Sequence, residues 1–206
     1  MESTILKRIN RIDAAIGAIE EDDPTKLKAT VIKTEKIKAV IQDFRAGFSD
    51  QELLNQVYTL IHNIANLRDH LRKWASHNGH NKAKVDQTID NCFELQIIMD
   101  LSNNDKHGYP PRDGGHSGKS PHLIDINRVL RLQTQAKKGS KIGMTIGSDG
   151  VPKFTGNGTA KAVVTGGVID KDNKRIGDLY DIANIAVEAW EKLLVDFGLI
   201  TTTNST

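Results

Sequence analysis

Cysteine is almost absent. Cys92 is the single one among 206 residues, so a disulfide framework within the chain is excluded and a reducing compartment fits. Long apolar runs are missing as well. Nothing approaches the roughly 18 consecutive apolar residues of a membrane-spanning helix. The N-terminal stretch MESTILKRIN is polar, without the apolar centre of a signal peptide. The expectation is a cytoplasmic protein with no membrane partner. Net charge is also small, at +2, too little to announce a nucleic-acid binder. There is no internal repeat and no cofactor motif.

What is present is an ordinary globular composition, 38% hydrophobic and 26% charged. The length suits one domain over residues 1–200 with a loose tail at 201–206. Residues 1–107 read as an antiparallel bundle of about four helices. Ile5, Ile9, Ile12, Ile16 and Ile19 step by four and three, which aligns them in one stripe of a helix that Ser3 or Thr4 can cap. Glu20 to Asp23 and Pro24 end it. Pro24 is placed to open a second helix carrying Leu27, Val31, Ile37, Val40, Ile41 and Phe44, although Val31–Ile32 followed by lysines also fits a strand. Ser49 and Glu52 make a capping box for a third helix, striped by Leu53, Val57, Leu60, Ile64, Leu67, Leu71 and Trp74 and broken at Asn78-Gly79. A fourth runs from about Lys82 to His107 and is apolar nearly all round at Leu95, Ile97, Ile98, Met99 and Leu101.

The second half changes character. Residues 108–122 form a loop rich in Gly, Pro and His. Alternating runs at 126–132, 142–146 and 161–165, separated by turn signals, predict a small antiparallel β-meander over 123–177. A final helix, 178–197, carries Trp190 and is expected to cover the sheet or return to the bundle. The fold class is therefore α+β.

Several strings suggest chemistry. Gly114-Gly115-His116-Ser117-Gly118-Lys119-Ser120 resembles a phosphate loop, but Asp113 stands where the first glycine belongs and Pro121 follows where a helix should start, so it reads as a loop. The seven histidines show no zinc-ligand spacing. No metal and no cofactor is expected. Between Lys106 and Lys141 stand eight basic residues against two acidic ones, a surface able to meet phosphates; the alternative is a solvated loop and sheet face. Ser102-Asn103-Asn104-Asp105-Lys106-His107 ends the apolar fourth helix. Asn103 and His107 are four apart and share a face, and the helix C-terminus favours an imidazolium there. The same cluster can equally serve to cap the helix.

Two long helices, the second closed by Asn103-x3-His107, resemble the HEPN superfamily, most nearly its uncharacterised bacterial proteins with an Asn-x-x-Lys-His helix end. Those proteins likewise continue into a few strands and a last helix bearing a tryptophan, as Trp190 is here. The resemblance covers most of residues 50–197. It implies an RNA partner, metal-independent ribonuclease chemistry, a role as a toxin or phage-defence component, and a two-fold dimer. Carried over, Asn103 and His107 would be catalytic, with Lys106, Arg112 and Lys119 on phosphate. The family's arginine position is Ser102, which puts catalysis in doubt. Arg68 and Arg72 are too far to substitute if the helices form an antiparallel hairpin, because His107 then lies opposite about Gln51. The competing reading is a non-catalytic bundle that docks a protein partner or a second copy through its first helix or a sheet edge.

Overall fold

Stripes of apolar residues dictate the helices, and the computed structural model, which describes residues 2–35, 37–108 and 113–201, shows where each stripe is spent. The isoleucine stripe forms α1 (Glu2–Ile19). It begins upstream of Ser3 and Thr4, so both lie inside the helix rather than at its cap. Ile5, Ile12 and Ile19 are buried and Ile9 and Ile16 pack beside them. This stripe, expected as a docking face, is consumed by the chain's own core.

Glu20–Glu21 form the short strand β1. Pro24 does open a helical turn, capped by Asp23, but it is one turn of 3₁₀ helix, Pro24–Lys26. The predicted second helix is instead a hairpin, β2 (Thr30–Lys33) and β3 (Lys38–Ile41). Thr30, Val31 and Ile32 are β-branched in succession, which favours a strand. The Ala29 amide is also drawn away to the Gly150 carbonyl at 2.8 Å.

The clearest predicted helix is α2 (Asp50–His77). Its Ser49–Glu52 capping box is formed, and all seven stripe residues are buried. The fourth helix is not continuous. It breaks into α3 (Ala83–Asp90) and α4 (Phe93–His107), with Cys92 in extended conformation between them. One side chain bridges the break: Gln96 Nε2 donates to Ile89 O, which also accepts from Cys92 N, at 3.1 Å and to Asp90 O at 2.8 Å. The break re-aims α4. His107 does not come opposite Gln51; the end of α4 meets α2 at His62 and Asn66.

Five further strands follow: β4 (His122–Gln133), β5 (Ile142–Ile146), β6 (Pro152–Gly156), β7 (Thr159–Ile169) and β8 (Arg175–Asp178). They do not form a simple meander. β7 is central, pairing antiparallel with β4 on one side and with β1 and β8 on the other. β5 and β6 make a separate hairpin between them. The predicted turns at Gly139, Gly150 and Asn173 all have positive φ, the geometry those residues supply.

α5 (Leu179–Asp196), capped by Asp178, does both things expected of it. Its apolar face joins Val163, Val164 and Val168 of β7 to the helices in one core cluster. Trp190 Nε1 donates to the Ile64 carbonyl of α2 at 3.1 Å. No described helix is long and apolar enough to cross a membrane. The predicted tail at 201–206 falls, beyond Thr201, outside the described residues.

Gln96→Ala removes the side chain bridging the α3–α4 break and takes a donor from the Asp90 and Ile89 carbonyls, the second of which keeps the Cys92 amide. The expected loss is about 1 kcal/mol, read as a lower urea midpoint at unchanged m-value.

Candidate functional site

The polar end of α4 is built against α2. Tyr58, His62 and Asn66 lie at four-residue intervals on α2 and face it. His62 Nδ1 lies 2.9 Å from Ser102 Oγ, and His62 Nε2 lies 2.7 Å from Asp105 Oδ2. Tyr58 stacks on His62 with centroids 6.1 Å apart. Burial, together with the Asp105 charge, pushes the Tyr58 phenol up.

This is a serine–histidine–aspartate string, which neither the histidine spacing nor the motif search revealed, because its members come from two helices. Its exposure is the reverse of a nucleophilic triad. Ser102 is 0% exposed and lies inside the core, while the Asp105 side chain is 39% exposed. A triad needs its serine reachable and its carboxylate enclosed. Here the string holds two helices together.

The remaining predicted residues separate. Lys106 Nζ donates to Asn66 Oδ1 at 3.0 Å. Asn103 is half-buried and His107 exposed, the latter followed by Gly108 at φ 71. Arg112 lies outside the described residues. Lys119 is exposed on the loop, whose backbone is joined to the β7–β8 turn by Lys171 N donating to Lys119 O at 3.1 Å. Arg68 and Arg72 both meet Asp86 of α3. Their charge is spent on Asp86, and the expected separation from His107, which assumed His107 opposite Gln51, does not apply.

The glycine-rich string does cradle an anion, and the anion is the chain's own. Asp100 is 0% exposed in the middle of α4. Its carboxylate accepts from His116 N at 2.7 Å, Ser117 N at 2.8 Å and Ser117 Oγ at 2.6 Å. Gly115, at φ +72, lets the loop come this close; a Cβ there would stand 2.2 Å from Asp100 Oδ1. Asn104 Nδ2 pins the loop further, donating to Pro121 O at 3.2 Å. The signal that could have found Asp100 is a lone carboxylate inside Ile97-Ile98-Met99-Asp100-Leu101.

Among the described residues, no group of three or more His, Cys, Asp or Glu side chains is arranged to hold a metal ion. The predicted basic surface divides too. Arg128 is buried over the Phe48 ring and Arg131 pairs with Asp181. Lys137, Lys138 and Lys141 stay exposed, and the hairpins add exposed Lys28, Lys33 and Lys153, which the sequence reading did not single out. None of these six has an ion-pair partner among the described residues. No family model, curated protein or solved structure matches the chain.

Gly115→Ala is expected to destabilise the fold by about 1–3 kcal/mol, through positive φ and overlap with Asp100. In an Asp100→Ala background the same change costs less, and a double-mutant cycle in chemical denaturation measures the difference.

Proposed function

We propose that this chain binds nucleic acid, contacting phosphates with the lysines of its two hairpins. The observation that carries the reading is charge segregation. Residues 24–41 and 133–158 hold nine lysines against two carboxylates, Glu35 and Asp149, and the rest of the chain is net acidic. The two segments meet where Ala29 N donates to Gly150 O at 2.8 Å. The acidic run at the root cancels only part of this charge, since of the nine lysines Lys26 pairs with Glu21. Glu20 and Glu21 are engaged by Lys161, Tyr180 and Lys26. Unpaired lysines exposed on one side are what sequence-independent phosphate contact requires.

A second reading, RNA cleavage at Asn103 and His107, is favoured by the exposure of His107 at the end of α4 and by the HEPN likeness, which implies RNA. It needs a cation at the scissile phosphate, from Lys106 once released from Asn66, from Arg112, or from a second copy.

Titrating fluorescent oligonucleotide with protein over a range of salt tests the first reading. The triple change Lys137→Gln, Lys138→Gln and Lys141→Gln is expected to weaken binding at least tenfold and to reduce the slope of log K against log salt by about 3. No binding at low salt removes the proposal. For the second reading, wild type is expected to cut RNA in EDTA and His107→Ala is not; equal cleavage by both takes His107 out of the chemistry.

A further inference from the structure

The β2–β3 hairpin stands apart from the main sheet as a ribbon of two strands, with no third strand bonded to either among the described residues. Its register sets Thr30 opposite Ile41, Val31 opposite Val40, Ile32 opposite Ala39 and Lys33 opposite Lys38. Thr34 N donates to Ile37 O at 2.8 Å to close the tip. Ile37, at that tip, is 63% exposed, and Ile41, Ile32 and Val40 are exposed as well.

We propose that this ribbon enters the major groove of double-stranded DNA, with Lys28 and Lys33 on the flanking phosphates and Ile37 leading towards the base edges. This rests on the nucleic-acid reading and names the form of nucleic acid. The dimensions fit. Four residues per strand give a projection of about 13 Å at ~3.3 Å per residue. The B-form major groove is about 12 Å wide and 8.5 Å deep and admits a two-stranded ribbon. Exposed isoleucine finds apolar contact there in thymine methyl groups, and Glu35, beside the tip, can accept from the cytosine amino group.

The same features disfavour other occupants. A lipid surface would have to take Glu35 into its apolar layer along with Ile37. An RNA duplex offers a major groove too narrow and deep for side chains to read. Single strands are held by stacking on aromatic rings, and residues 24–41 contain none.

The test is binding of the full-length protein at low salt to a short DNA duplex, to one of its strands, to the matching RNA duplex and to anionic vesicles. Wild type is expected to prefer the DNA duplex. Ile37→Ser is expected to weaken duplex binding roughly tenfold and to leave single-strand binding unchanged, while Lys33→Gln, which removes a phosphate contact, weakens binding to both. Their melting temperature stays at the wild-type value, since both side chains are exposed. Ile37→Thr keeps the β-branched shape and gives the same loss, which separates lost contact from a weakened hairpin. Equal binding of every nucleic acid, with the hairpin variants indistinguishable from wild type, overturns the ribbon inference and leaves phosphate binding standing. Preference for RNA duplex or vesicles overturns it as well. Binding to none overturns both.

Discussion

A carboxylate placed in a dry interior has to be hydrogen-bonded, and much of this fold follows from meeting that demand at Asp100. Its neighbours Ile97, Ile98 and Leu101 are all buried, so water cannot supply the bonds, and an uncompensated charge there would cost several kcal/mol. The 113–121 loop supplies them through two amides and a hydroxyl. Once bound, the loop has a fixed course. Asn104 holds its end at Pro121, Lys119 joins it to the β7–β8 turn, and His122 enters β4. A single buried charge on the central helix thus ties the helical half of the chain to its sheet.

The glycine-rich string shows what local chemistry can and cannot disclose. That it would present amides to an anion is visible in its residue types. Which anion it meets depends on Asp100, brought near by the fold. Long stripes were legible for the same reason: α1, α2 and α5 each bury one face, and burial leaves a period in the sequence. Residues 24–44 carried an ambiguous pattern, and a backbone bond from Ala29 to Gly150, across most of the chain, decided for the hairpin. The break before α4 left almost no local signal, because Gln96 repairs it from within the next helix. Missing it misplaced the end of α4 along α2, and with it the whole neighbourhood of His107.

At that end, polar residues from two helices do one shared job. Ser102, His62 and Asp105 spend their hydrogen bonds on one another and on holding α4 to α2, as Lys106 does with Asn66. Asn103 beside them is half-buried and His107 exposed. A cluster that reads as one motif in sequence is therefore mostly structural, with a narrow exposed margin.

The lysines of the β2–β3 ribbon admit a plainer explanation, protection of open strand edges against pairing with other chains. That function is served by charge of either sign, and a mixture would serve it with less repulsion inside the ribbon. Residues 24–41 nevertheless hold five lysines and one glutamate, in a chain that is otherwise close to neutral. The four exposed β-branched side chains point the same way. Edge protection alone would replace them with polar residues, since a two-stranded ribbon is marginal in water and exposed apolar surface adds to the risk of association. Keeping both the single sign of charge and the apolar tip is costly for an isolated ribbon and useful for one that meets an anionic partner with apolar groups inside it.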